Sequence, residues 1–207
     1  MELTDRQRDS LSELINIGYC RAAASLSDLL NQRIILSTPA VEVFSVDRVS
    51  GALRMVLGPE AASVHQVFSG AVSGHALLLL DAAASDQLTS FLIGDDLTGE
   101  ERRAAARDAL CEVGNIVLQA SLGVCGSLLQ VHITFSVPRL HLESVDDILN
   151  SLSIDNQELQ FALFVRTRFE LSQSRITGYL VVVLGVTSFS RLLTELEGWE
   201  KRATKSS

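Results

Sequence analysis

Cysteine is scarce in this chain and is not arranged for metal or disulfide chemistry. Cys20, Cys111 and Cys125 are scattered and odd in number, with no CxxC or Cys/His spacing, which argues against a zinc site and a secreted disulfide framework. The four histidines, His65, His75, His132 and His141, show no ligand spacing on one helix. No serine or cysteine has a histidine at the spacing of a nucleophile and its base. A glycine-rich phosphate loop is also missing, so an ordinary metabolic α/β enzyme ranks last among the readings. The opening MELTDRQRDS is polar and carries acids, unlike a signal peptide. The longest apolar runs, such as YLVVVLGV (Tyr179 to Val186), have strand length and are too short to span a bilayer. A reduced cytosol, with no membrane partner, is the expected address.

What is present is the composition of a folded protein. Of 207 residues, 47% are hydrophobic and 20% charged, too apolar for disorder and enough for one domain or two small halves sharing a core. A formal net charge of −8 argues against nucleic acid or an anionic membrane as partner. An acidic surface suits a basic face on another protein.

The chain repeats itself. RDSLSELINIGYCRAAASLSDLL (Arg8 to Leu30) aligns with RDALCEVGNIVLQASLGVCGSLL (Arg107 to Leu129) at a constant offset of 99 residues. Asp9 falls on Asp108, Glu13 on Glu112, Asn16 on Asn115 and Leu29 on Leu128. ILSTPAVEVFSVD (Ile35 to Asp47) then aligns with TFSVPRLHLESVD (Thr134 to Asp146), placing Pro39 on Pro138. SGHALLLLDAAASDQLTSFL resembles TGYLVVVLGVTSFSRLLTEL at a slightly larger offset, each a strand turning into a helix. The expected fold is α+β. Two pseudosymmetric halves, about 1–95 and 96–198, share an antiparallel-rich sheet, and the two long motif helices pack together. Each half reads as helix, strand, hairpin, strand, helix. Thr4 with Gln7 and Thr98 with Glu101 fit capping boxes. Gly94 to Arg103 reads as a linker, and residues 199–207, within EGWEKRATKSS, as a frayed polar tail.

Asn is a mediocre helix former, because its side chain competes for backbone hydrogen bonds, yet both motif helices carry one. At about 100° per residue, positions i, i+4 and i+7 share a sector of roughly 60°. Asp9, Glu13 and Asn16 form such a stripe, as do Asp108, Glu112 and Asn115. Leu11, Ile15, Ala22, Leu26 and Leu29 cluster on the opposite side of the first helix. The bland reading is a pair of solvated faces, but solubility alone does not explain Asn in both copies while Ser12 changes to Cys111, Leu14 to Val113 and Gly18 to Val117. Paired carboxylates suit acid–base work, but a convex helix face makes a poor pocket. It makes a good wedge for another protein's site, where a carboxamide holds water through one donor and one acceptor and a Glu pairs with a cation. Gly18, with Ala22 to Ala24, reads as a close helix contact rather than a phosphate site.

The doubled D-x3-E-x2-N, followed by 22 residues and Pro, resembles the CheC/CheX/FliY family of response-regulator phosphatases. Asp9, Glu13, Asn16, Pro39 and Asp108, Glu112, Asn115, Pro138 carry the likeness, with NIG (Asn16 to Gly18), EVGNI (Glu112 to Ile116) and SGHALLLL beside them. It covers nearly the whole chain, and two copies resemble CheC more than single-site CheX. The resemblance implies hydrolysis of the aspartyl phosphate of a CheY-type response regulator. Asn16 and Asn115 would orient the attacking water, and Glu13 and Glu112 would contact the regulator's lysine. No cofactor of the chain's own is implied, and Mg²⁺ would belong to the regulator. Pro39 and Pro138 read as structural, setting the approach to the next strand. Cys20 departs from the glycine that many relatives carry there. The alternative is a non-catalytic adaptor of the same fold, binding a response regulator or a CheD-type deamidase.

Overall fold

The structure, a computed structural model, describes residues 3–37, 40–58, 60–94, 96–148, 150, 159–171 and 174–203. Pro39 lies outside the described residues. The element order is α1 (Asp5–Leu30), β1 (Ile34–Leu36), β2 (Ala40–Ser45), α2 (Val46–Leu57), β3 (Glu60–Gly70), β4 (Gly74–Asp81) and α3 (Ala82–Ile93). It continues with α4 (Gly99–Leu129), β5 (Ile133–Phe135), β6 (Arg139–Ser144), β7 (Leu159–Leu171), β8 (Ser174–Gly185) and α5 (Val186–Ala203). Residues 145–148, after β6, are also helical. The order therefore repeats, helix–strand–strand–helix–strand–strand–helix, as an arrangement. A common origin of the halves rests on the sequence alignment.

All eight strands join one antiparallel sheet in the order β1-β7-β8-β4-β3-β5, with β2 also on β7 and β6 also on β3. Exchanging β1 with β5, β3 with β7 and β4 with β8 leaves that order unchanged. The two halves meet at β4 and β8, where Leu77 faces Val181 and Leu78 faces Leu180. Each half sends its two short strands across to the other half's hairpin. The fold is α+β with one shared sheet.

Period-2 alternation sends the strand residues to two separate cores. Val64, Phe68, Leu78, Leu80, Leu163 and Val182 face α1, α3, α4 and α5, whose Leu14, Leu88, Leu118 and Phe189 complete the larger core. Leu77, Leu79, Ala162, Phe164, Val181 and Val183 face the other way, onto Val49, Leu53 and Leu57 of α2 with Val145 and Ile148. Two-sided burial explains why GHALLLLD reads as a nearly unbroken apolar run. The expectation of helix, strand, hairpin, strand, helix omits this second helical layer. Its apolar stripe, Val49, Leu53 and Leu57, is narrow, so burial against the sheet decides what propensity does not.

The motif helices pack against each other at a close crossing. A Cβ on Gly18 would lie 2.6 Å from the Cα of Ser121, so only glycine fits. On α4, a Cβ at Gly114 would meet the Val64 side chain at 2.4 Å, which brings that helix down onto β3. By length and composition α4 is apolar enough to cross a membrane, yet 56% of its most apolar window is buried in this fold. Both motif helices end in a left-handed residue, Asn31 (φ 49°) and Gln130 (φ 60°), with Gln32 and Val131 amides returning to the Ser27 and Gly126 carbonyls.

Several local expectations change. Thr4 and Gln7 form the full capping box, whereas Thr98 occupies the cap position of α4 without a side-chain bond. Helix α4 begins at Gly99, inside the segment read as linker. Leu29, expected on the apolar side, is 51% exposed. Residues 199–203, expected in a polar tail, are the last turns of α5. There Glu200 accepts from Ser10 Oγ at 2.6 Å and pairs with Arg6 at 2.6 Å, and Gln7 reaches Glu197 at 3.4 Å. Trp199 packs against the large core. Polar composition here marks a helix–helix contact.

Candidate functional site

Because each motif helix buries its apolar side against the sheet, its Asp-Glu-Asn stripe turns outward. Asp9 and Glu13 are exposed and Asn16 half-buried; Asp108 and Glu112 are exposed and Asn115 half-buried. The same gradient along both helices leaves the carboxylates in solvent and seats the carboxamide at the edge of the fold. Cys111, beside Glu112, has its thiol held above the usual range by burial, partly opposed by the Leu140 backbone.

Asn115 is held by residues the sequence reading did not single out. Gln66 Nε2, from β3, donates to Asn115 Oδ1 at 3.0 Å and to the Ser136 carbonyl at 2.9 Å. Gln119 Nε2, one turn along α4, donates to the same Asn115 oxygen at 2.5 Å. Ser136 is in turn fastened to β3, its amide donating to the Val67 carbonyl at 2.8 Å and its hydroxyl accepting from the Val67 amide at 2.9 Å. Ser136, Val137 and Pro138 form the short link between β5 and β6, where Val137 is 80% exposed and Pro138 sits immediately before β6.

Two signals for these residues were legible. Asn115 and Gln119 stand at i and i+4, a spacing at which carboxamides meet on a helix. Gln66 interrupts the series Ala62, Val64, Gln66, Phe68, in which every second residue of β3 faces the large core.

Asn16 has no hydrogen bond among the described residues. Its neighbours differ in kind. Cys20 occupies the helix position that corresponds to Gln119. The strand counterpart of Gln66 follows from the ladders. β3 leaves the β6 ladder at His65–Arg139 and joins the β5 ladder at Phe68–Phe135. β7 likewise leaves the β2 ladder at Arg166–Ala40 and joins the β1 ladder at Phe169–Leu36. The intervening residues are Gln66 and Val67 in one half, and Thr167 and Arg168 in the other. Thr167 therefore stands where Gln66 does.

An apolar cavity of about 40 Å³ lies on the core side of the helices, lined by Leu11, Ile15, Phe68, Leu122 and Cys125 among others. No three His, Cys, Asp or Glu side chains among the described residues are grouped to hold a metal ion. What remains is a pair of convex faces, each presenting a carboxylate one turn before a carboxamide. Such a face works by insertion.

No family model matches the chain. It is 24% identical over 193 residues to the flagellar motor switch phosphatase FliY of Bacillus subtilis (strain 168), covering 92% of this chain and 49% of FliY. The chain thus spans about half the length of that relative. It is 25% identical over 203 residues to the CheY-P phosphatase CheC of the same organism, covering 94% of this chain and 95% of CheC. Among solved structures, Thermotoga maritima FliY superposes with a TM-score of 0.74 at 20% identity, over 98% of this chain and 99% of that one.

Proposed function

We propose that the chain is a member of the CheC/CheX/FliY family and a phosphatase acting on the aspartyl phosphate of a CheY-type response regulator. The observation that carries the reading is the exposed Glu one turn before a half-buried Asn, present on both convex helix faces of a chain related to two named phosphatases. FliY and CheC carry that activity in their names; here it is the inference.

The chemistry follows from the geometry. A phosphoryl group bound to an aspartate leaves when a water oxygen attacks phosphorus in line, releasing the carboxylate and inorganic phosphate. Phosphoryl transfer rewards positioning and charge stabilisation more than covalent help. Asn16 or Asn115, inserted into the regulator's site, orients that water through its carboxamide. Glu13 or Glu112, a turn earlier and exposed, pairs with a lysine of the regulator and sets the depth of insertion. Asp9 and Asp108 extend the acidic stripe. Mg²⁺ would neutralise phosphoryl charge, and in this reading, which follows the family resemblance, it belongs to the regulator. A CheD-type deamidase is a further partner proposed from the family resemblance. A cytosolic location fits this reading.

The test is phosphate release from a phosphorylated CheY-type regulator. Asn16→Ala combined with Asn115→Ala should abolish stimulated hydrolysis and leave the unfolding transition in place, since half-exposed helix positions accept alanine. Wild-type turnover in the double variant would overturn the assignment. Binding that persists in both proteins without any phosphate release would make the chain an adaptor.

A further inference from the structure

The hydrogen bonds around Asn115 leave only one way for its carboxamide to point. The Ser136 carbonyl can only accept, so the Gln66 atom 2.9 Å away is the amide nitrogen. That nitrogen's second hydrogen faces Asn115 at 3.0 Å, and the Asn115 atom receiving it must be an acceptor, Oδ1. The Gln119 atom at 2.5 Å from Oδ1 is then its own amide nitrogen. The backbone carbonyl of Ser136 thus fixes the polarity of three side-chain amides in series. The Asn115 amide group is left facing away from both glutamines.

Gln66 is not explained by packing. It is 1% exposed, and its carbonyl oxygen is buried without a hydrogen-bond partner. An unpaired buried acceptor costs stability that an apolar residue of the same length would not. The benefit of this glutamine lies in what it holds.

We infer that Gln66, assisted by Gln119, is a positioning residue that presets the Asn115 carboxamide with its amide group outward, and that the two motif sites are unequal because the first half lacks both glutamines. Thr167 and Cys20 stand in their places, and Asn16 must be ordered at the moment a partner arrives. The inference rests on the phosphatase reading and deepens it. The site on α4 is built in advance, whereas that on α1 is completed by the regulator. Gln66 is anchored in the core, while exposed Gln119 can yield its place on Oδ1 to the attacking water, which then finds an acceptor beside a fixed donor.

The experiment uses single-site parents. Asn16→Ala leaves only the α4 site, and Asn115→Ala only the α1 site. Gln66→Met keeps the side chain's length and removes its donors. In the Asn16→Ala parent this change should lower kcat about tenfold with little change in KM, because displacement of a positioned group acts on the chemical step. In the Asn115→Ala parent it should move turnover less than twofold, and in neither should the unfolding midpoint fall. In the free protein, the side-chain amide NMR signals of Asn115 should be resolved and ordered, those of Asn16 averaged, and Gln66→Met should collapse the former. Equal loss in both parents, a lowered midpoint that tracks the loss, or equally averaged Asn16 and Asn115 signals would overturn the inference alone. Silence of both parents, with no phosphate released by either, overturns the phosphatase reading and the inference with it.

Discussion

Gly18 of α1 and Ser121 of α4 touch backbone to backbone: a Cβ added to Gly18 would lie 2.6 Å from Ser121 Cα and 2.9 Å from its carbonyl oxygen. Gly18→Ala should therefore force the helices apart and cost about 1–3 kcal/mol, the usual range for overpacking. Gly114 is crowded by a side chain instead, with Val64 Cγ1 at 2.4 Å from its would-be Cβ. Gly114→Ala should be partly rescued by Val64→Ala, whereas trimming side chains near Gly18 should rescue nothing. Denaturant melts of the single and double variants measure the coupling directly.

Charge reversal tests the role given to the glutamates. Glu13→Lys with Glu112→Lys should weaken binding to the phosphorylated regulator by at least tenfold, since like charge would then face the partner's lysine. Both positions are exposed, so the melting curve should move little. Titration calorimetry with the regulator's stable phosphoryl mimic reads the affinity. Undiminished binding would remove the glutamates from the interface.

The thiol of Cys125, fully enclosed beneath the helix crossing, is pushed by burial from the ordinary value of 9.0 up to about 12. A folded value above the unfolded one means that the unfolded chain loses its proton first as pH rises. The thiol's contribution is therefore complete below pH 9 and disappears as pH climbs towards about 12. Cys125→Ala should be less stable than wild type at neutral pH, through the cavity it opens, and the gap should narrow above pH 9. Urea midpoints at several alkaline pH values decide it.

Gln130 closes α4 at φ 60°, in the left-handed region that crowds a Cβ. Gln130→Gly keeps the returning bond from Val131 to Gly126 and removes that crowding, which should stabilise the protein by about 0.5–1 kcal/mol. A rise in thermal midpoint is the expected reading. A fall would show that the glutamine side chain contributes more at this end than its conformation costs.

The large features were legible because they are written at two periods the backbone imposes. Asp9, Glu13 and Asn16 share a helix face whatever the tertiary structure, and apolar residues at that spacing show which side is buried. The repeat then transfers the reading to Asp108, Glu112 and Asn115. The residues that escaped depend on long-range partners. Glu200 looks like tail until Arg6 and Ser10 meet it. Val49, Leu53 and Leu57 form a thin stripe that becomes a helix face only when the far side of β4 and β8 is there to cover it. Gln66 sits in the right strand for an apolar residue, and its purpose is visible only once Ser136 and Asn115 lie beside it.

The exchange of short strands between halves dictates when the molecule can be assembled during synthesis. Ile34 pairs with Leu171, so β1 waits for 137 further residues to leave the ribosome before its partner exists. At translation speeds of about 5–20 residues per second, that is roughly seven to twenty-seven seconds. Over that interval the nascent first half presents the unpaired rim of β3 and an uncovered apolar sheet, whose own covering strands, β5 and β6, are also still to come. A chaperone that shields sheet rims would act here, and a ribosome stalled near residue 95 would release a fragment prone to pair with its own kind. The protein is committed to fold late and whole.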